Sequence, residues 1–417
     1  MSTSVALTLE QGAAHLASIV GEEHAIVREE TVVAAPADLQ QVAEVLRFAN
    51  ANGLTVMPTG SGTKLGWGNP VAPDIELSMK RICQLREHAW QDMTCAVEAG
   101  CSWAAMQAQL KEHGQMVALD PLWPERATIG GIVASNDSGA LRLKYGGLRD
   151  LIIGMTVVLA DGTVAKSGGK VVKNVAGYDI HKLMTGSFGT LGVIVEVNFR
   201  LHPAEEHART WTAVSPNGAG NAKLFADPLR ALMDSLMVPS SVQLRISKKE
   251  FALDVRIAGL AECLDEYGAS LQTILGGFPM VGRAQNVWGA REQMFDNEDA
   301  VVLKISTLPA EVCSISAELH EWSLGDGRDV KVLAAATGLM TVAVEAASEL
   351  VPALVETLRA RVHEFGGSVV VLQVSDALRG RIDVWGPAQG SWALMNEIKR
   401  RFDPGRILNP GRFVGNI

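Results

Sequence analysis

Three glycine-bearing segments hold the residues best suited to chemistry on an anion or a flat ring. The first, MPTGSGTKLGWGN over residues 57–69, follows a short apolar run. Two phosphate-binding patterns fail there on spacing. A P-loop requires GxxxxGK[ST], whereas Gly62-Thr63-Lys64-Leu65 puts a threonine before the lysine and a leucine after it. A dinucleotide GxGxxG fails because Gly60-Ser61-Gly62 is followed by Thr63, Lys64 and Leu65, and Trp67-Gly68-Asn69-Pro70 cannot open a helix. What remains is a compact loop able to turn consecutive N–H groups inward, a nest that binds a diphosphate through amides. An ordinary hairpin turn with surface glycines explains the same residues, and the loop alone does not separate the two.

The second segment, DPLWPERATIGGIVASNDSG over residues 120–139, joins a proline-stiffened approach to Gly130-Gly131 and then to small polar residues. Paired glycines let a backbone lie against a flat or anionic ligand, and Asn136 and Ser138 offer side-chain donors. The third begins at Lys170 and ends in Phe188-Gly189-Thr190-Leu191-Gly192-Val193-Ile194, a strand preceded by two closely spaced glycines.

Other chemistries are poorly supported. The nine histidines are dispersed, and His202 and His207, the nearest pair, form no HxH, HxxxH or HExxH pattern. The five cysteines make no CxxC pair, so neither zinc nor an iron–sulfur cluster is encoded locally, and no metal site is expected. They read as buried thiols of a reducing, cytoplasmic compartment. A formal net charge of −9 without a long basic run argues against nucleic acid. The N-terminus has no basic region before Glu10 and reads as no secretory signal, and the uncharged stretch between Lys331 and Glu345 is short of the ~20 residues of a membrane helix.

The elements that must position these segments follow from periodicity. Leu39, Val42, Val45, Leu46 and Ala49 share one helical face, with Asp38 as N-cap and Gly53 as the stop, and a strand over residues 54–57 delivers the first loop. Residues 102–113 read as a helix, and 75–79 and 95–98 as strands. From 129 to 201, short apolar runs broken by glycine pairs and Asp161-Gly162 read as mostly β. Beyond a polar stretch at Pro216–Gly220, strands are expected at 242–246, 253–257, 301–305, 341–344 and 369–374. Helices at 223–236, 261–274, 309–321 and 350–364 lie between them, an α+β domain of its own. A length of 417 residues accommodates two or three domains.

Together, the loop, the TIGG stretch, the GYD…GSFGTLG block and the C-terminal DPGRILNPGRF resemble the FAD-linked oxidase family of the vanillyl-alcohol oxidase (PCMH) type. The resemblance spans about Val27 to Pro203 plus the tail. It implies an α+β fold in which residues 1–203 form the PCMH-type FAD-binding domain of two α+β subdomains. Residues 204–385 would form an α+β cap, and 386–417 a segment returning to the FAD domain. By resemblance, Pro58, Thr59, Gly60, Ser61, Gly62, Thr63, Lys64 and Leu65 carry the FAD pyrophosphate. Asp120, Pro121, Thr128, Gly130, Gly131, Ala134, Asn136, Ser138 and Gly139 meet flavin or ribityl. Gly192, Val193 and Ile194 hold the adenine side, and Asn409 reaches the flavin. The first loop lacks the histidine that links flavin covalently in some relatives, so FAD is expected to be non-covalent.

Within that family, GGKVVKNVAGYDIHKLMTGSFGTLGV is most similar to E-type FAD-binding subunits of glycolate oxidase. Lys173-Asn174-Val175-Ala176 departs from the GKDTTGYDL common in the D-type subunits and the D-lactate dehydrogenases. Active 2-hydroxy-acid members also place close histidines beside the flavin. After residue 203 this chain has only His207, His320 and His363, and Arg245 and Arg256 on expected strands read more readily as solvated sheet residues than as a carboxylate clamp. No catalytic residue is assigned. The expected function is the FAD subunit of a complex that oxidises glycolate, with D-lactate as a second candidate. Its partners would be a paralogous catalytic FAD subunit and an iron–sulfur subunit, and membrane contact would be peripheral, through those partners. The competing readings are a self-sufficient FAD-dependent 2-hydroxy-acid dehydrogenase and a non-enzymatic scaffold.

Overall fold

The computed structural model describes residues 7–170, 177–215, 222–276, 278–283, 285–388 and 390–417. The Lys173–Ala176 departure and the Pro216–Gly220 stretch lie outside the described residues. The chain divides into two compact units. One comprises residues up to Asp137, then Gly147–Ala204 and Pro387–Ile417; the other comprises Ser138–Gly146 and Glu205–Gly386. Ser138 and Gly139 thus belong to the second unit, although sequence reading groups them with the FAD-binding segments.

In the first unit the helix Leu39–Asn52 forms as its caps require. The Asp38 carboxylate accepts the Gln41 N–H at 2.9 Å, and Gly53, at φ +65°, donates its N–H to Ala49 and Asn50. Its buried face, Val42, Val45, Leu46 and Ala49, packs on a four-stranded sheet ordered Ala25–Arg28, Thr31–Ala34, Ile75–Ser78, Val56–Thr59. The last of these strands ends at Thr59, two residues later than the sequence suggests, and releases the glycine loop from the sheet end.

A second, antiparallel sheet runs Leu85–Ala89, Thr94–Glu98, Val193–Arg200, Ile152–Val158, Val164–Gly168. Asp161-Gly162 turns its last hairpin, with the Asp161 carboxylate accepting the Thr163 N–H at 2.8 Å. The stretch 129–201 is less β-rich than expected, because Ile129–Ser135, Leu148–Leu151 and Ile180–Met184 are helical. Ile129, Ile132 and Val133 supply the buried face of the first of these, a signal masked by Gly130 and Gly131, which cost about 1 kcal/mol each in a helix.

The C-terminal helix Trp392–Phe402 carries a buried lysine. Lys399 donates to Asp403 Oδ2 at 2.7 Å and to the carbonyls of Thr190 and Leu408 at 2.8 Å. Asp403, fully buried, also accepts the N–H groups of Ile407 and Leu408 at 3.0 and 2.8 Å. This knot lays the tail along the first sheet, where Val56 donates to Ile407 O and Asn409 donates to Val56 O.

The second unit is one antiparallel sheet of eight strands, with helices Val312–Ser323 and Val351–His363 packed into its core. The uncharged stretch after Lys331 is the hairpin Asp329–Ala335/Leu339–Glu345. Strands Ala208–Val214 and Met280–Arg283 are additions to the sequence reading. No helix among the described residues is long and apolar enough to cross a membrane.

All five cysteines are free, but they are not uniformly buried: Cys83 is exposed and Cys263 half-buried, while Cys95, Cys101 and Cys313 are inside. Burial pushes the Cys95 thiol up to about 12 and Cys313 up to about 11. Maleimide at neutral pH is therefore expected to modify Cys83 first and to spare Cys95, Cys101 and Cys313 until the protein unfolds, a sequence readable by peptide mass mapping. The Lys399–Asp403 knot sets a second expectation. Asp403→Ala leaves a buried ammonium and two buried N–H groups without their acceptor, and calorimetry should register a loss of about 3–5 kcal/mol in the first unit.

Candidate functional site

The loop after Thr59, the start of helix Ile129–Ser135, the strand end at Val193-Ile194 and the tail at Asn409 line one open cleft within the first unit. Its walls include residues 58–65, Thr128, Gly130, Gly131, Ala134, Gly192, Val193, Ile194 and Asn409. The three glycine-bearing segments and the tail, far apart in the chain, are therefore brought together around one space.

Close backbone approach explains the glycine at position 60. A Cβ there would stand 2.0 Å from Thr128 Oγ1, so only glycine lets the loop lie against the start of the Ile129–Ser135 helix. Gly189, at φ +70°, is needed for a second reason, since a Cβ would press to 2.9 Å from the Asn409 side-chain nitrogen. That nitrogen donates to Phe188 O at 2.8 Å, whereas Asn409 Oδ1 is buried without a hydrogen-bond partner. A buried acceptor left open in a cleft wall is the kind of group that a ligand donor satisfies.

Lys64 differs from the expectation that it serves the loop's anion. Its backbone lines the cleft, but its side chain turns into the protein, with Nζ 3.3 Å from both Asp137 Oδ2 and Leu122 O. The ammonium also lies 5.6 and 5.3 Å from the ring centroids of Trp67 and Trp123. A buried ammonium requires a carboxylate or aromatic faces, and this cage supplies both.

Five other expected residues do not line the cleft. Asn136 is the left-handed residue that closes helix Ile129–Ser135, at φ 48°, and its N–H goes to Val133 O. Asp120 and Pro121 sit on the approach to Leu122, whose N–H is held by Asp137 at 2.8 Å. Ser138 and Gly139 fall in the second unit. Conversely, Met79, Ala99, Ser135, Phe188 and Arg412 line the cleft although the sequence gives them no role there, and Gly189, one of the two closely spaced glycines before the strand, lines it too. Phe188, Gly189 and Arg412 stood inside recognised motifs; Met79 and Ala99 carry no chemical signal in the sequence.

The second unit shows how its charges are used. Arg245 is not solvated: Nε and Nη2 engage Asp254 at 2.6 and 3.2 Å, and Nη1 engages Glu250 at 2.9 Å. Asp254, fully buried, also accepts from Thr212 at 2.7 Å and Gln243 at 3.1 Å. Arg256 pairs with Glu205 at 2.7 Å, and the Tyr145 hydroxyl donates to the same carboxylate at 2.9 Å. Burial, with Glu205 beside it, pushes the Tyr145 hydroxyl well up. His320 packs edge-on against Phe251, and burial lowers its pKa, while His207 and His363 are exposed. Among the described residues, no group of three or more His, Cys, Asp or Glu is placed to hold a metal.

Residues 31–168 match the FAD_binding_4 family, an FAD binding domain. The glycolate oxidase subunit GlcD of Bacillus subtilis is 34% identical over 48% of this chain and 43% of its own length. A cytochrome-type mitochondrial D-lactate dehydrogenase of Arabidopsis thaliana is 36% identical over 44% of this chain and 32% of its own. The matched region thus spans less than half of either relative. A D-2-hydroxyglutarate dehydrogenase of Xanthomonas citri is 27% identical over 91% of this chain and 88% of its own. Among solved structures, 4-ethylphenol oxidase from Gulosibacter chungangensis superposes with a TM-score of 0.71 at 13% identity, over 99% of this chain and 98% of its own. Chitooligosaccharide oxidase gives 0.68 at 15% identity, over 96% and 97%.

The tail wall offers a direct check. Asn409→Asp removes the donor to Phe188 O and introduces a carboxylate into the wall of the cleft shared with the glycine loop. Flavin fluorescence titration is expected to give a roughly 10- to 100-fold weaker FAD affinity. The α+β chain therefore carries, over residues 31–168, an FAD binding domain of the FAD_binding_4 family, with FAD as its cofactor.

Proposed function

We propose that the chain is the E-type FAD-binding subunit of a glycolate oxidase complex. Glycolate, and the related D-lactate, would be oxidised to the 2-oxo acid by the assembly, with electrons leaving to an iron–sulfur subunit. A paralogous FAD subunit would carry the substrate chemistry. The complex would be cytoplasmic and meet a membrane only through its partners. Bound FAD supplies a two-electron acceptor.

The residues of this chain divide the work of holding FAD. The amides of Gly60, Ser61, Gly62 and Thr63 are suited to the diphosphate, since a nest needs no net charge. Gly130, Gly131 and Ala134 offer a flat wall for flavin or ribityl, Val193 and Ile194 an apolar one for adenine, and Asn409 Oδ1 an acceptor. With no histidine in the loop, the binding would be non-covalent.

The observation that carries the subunit reading is the engagement of Arg245 by Asp254 and Glu250. Oxidising a 2-hydroxy acid requires a cation for its carboxylate and a base for its hydroxyl proton. Here both strand arginines already carry internal carboxylates, and the three late histidines lie on a bend and two different helices. A second reading, a self-sufficient dehydrogenase, is favoured by the near full-length similarity to a D-2-hydroxyglutarate dehydrogenase.

The two separate in one assay. The FAD-loaded chain is given glycolate, D-lactate or D-2-hydroxyglutarate with an artificial electron acceptor, alone and co-purified with the neighbouring FAD and iron–sulfur subunits. Turnover alone is expected to be at least ~100-fold below that of the assembly. Comparable turnover by the isolated chain would sink the subunit reading in favour of the second.

A further inference from the structure

The glycine loop is organised by a residue almost at the other end of the chain. Arg412 is 5% exposed and lines the cleft. One guanidinium nitrogen donates to the carbonyls of Lys64, Leu65 and Trp67, at 3.2, 2.9 and 3.2 Å. Its main chain is held by the same stretch: Asn69 donates its N–H to Arg412 O at 3.0 Å and its side-chain nitrogen to Gly411 O at 2.9 Å.

The direction of those carbonyls matters for an anion. Each carbonyl oxygen is the negative end of a peptide dipole, so three of them facing a diphosphate would oppose its binding. Gathered on a guanidinium, they are satisfied and turned toward a positive charge. Their peptide planes are then fixed, and with them the descent of the chain from Gly62 to Trp67, where Leu65 N–H closes on Gly62 O and Trp67 N–H on Lys64 O. Lys64 cannot supply this charge, because its own ammonium is committed to Asp137. Burial lowers the Arg412 pKa to about 10, which leaves the guanidinium charged at neutral pH.

We infer that Arg412 is the positioning residue of the FAD diphosphate loop, acting through the loop carbonyls rather than by touching the diphosphate. The long planar side chain carries Nη2 to the point where the three carbonyls converge; a lysine there is a compact, more strongly hydrated charge on a shorter stem and reproduces those contacts only in part. The proposal rests on FAD occupying this cleft, and wild-type binding is the control for that premise.

The test is flavin binding, not turnover. Apoprotein of wild type, R412A and R412K is titrated with FAD by fluorescence, and the melting temperature of each apoprotein is recorded. R412A is expected to bind FAD roughly 10- to 100-fold more weakly. Guanidinium chloride at low millimolar concentration should recover most of that affinity by refilling the vacated space, whereas ammonium chloride should not. R412K should fall between the two proteins, and it carries the test if R412A does not fold. Wild-type affinity in either variant would overturn the proposal, as would a loss in R412A that guanidinium and ammonium restore equally or that neither restores. Failure of the wild type to bind FAD would instead remove the premise.

Discussion

The Lys399–Asp403 pair is the interaction from which the geometry of the FAD-binding unit descends. Both groups are buried, and each completes its valence on the backbone: the ammonium on two carbonyls, the carboxylate on two N–H groups. Removal from water is costly for both charges, and this degree of satisfaction is what makes the pair tolerable. Burial draws the Lys399 pKa down while Asp403 opposes that shift. The geometric result is a tight turn after helix Trp392–Phe402 that sets Leu408 beside Val56. From that bridge the tail runs on to Asn409, which meets Phe188, and to Arg412, which meets the glycine loop.

A protein with a net charge of −9 must still present a cofactor diphosphate with a favourable environment. Under the proposed reading that environment is one of amides, since the nearby cations face inward. Lys64 neutralises Asp137, Lys399 neutralises Asp403, and Arg412 serves carbonyl oxygens. Each cation thereby stiffens a backbone segment of the cleft. Rigid amides aimed at one space distinguish a diphosphate by shape, which a loose cluster of lysines would not do.

Much of this was legible where the information is local. Asp38, the apolar face after it and Gly53 define a helix within sixteen residues, and Asp161-Gly162 defines a turn by a single side-chain contact. The three cleft-forming segments were visible from their glycines and small polar residues. The side-chain partners were not. Arg412 reaches across 345 to 348 residues of chain, and Lys64 meets Leu122 across 58. No periodicity records such pairings, so a lysine inside a glycine loop reads as a phosphate ligand until its carboxylate partner is seen. Helix Ile129–Ser135 was hidden for a related reason: Gly130 serves close packing against Ala99, where it donates its N–H at 2.8 Å, and Gly131 lies close to Thr128, so both obscure the helical pattern.

The second unit extends the same economy of charge. Arg245, Asp254, Gln243 and Thr212 form a closed network on adjacent strands, in which every bond to the Asp254 carboxylate comes from the sheet itself. Glu205 likewise receives both Arg256 and Tyr145. A guanidinium whose fork is filled by a buried carboxylate can accept a substrate carboxylate only by abandoning that partner, which would leave an uncompensated charge in the interior. The desolvation already met on folding would have to be met again at each binding event. Networks of this kind specify one sheet register and favour structural permanence over exchange with a small anionic ligand.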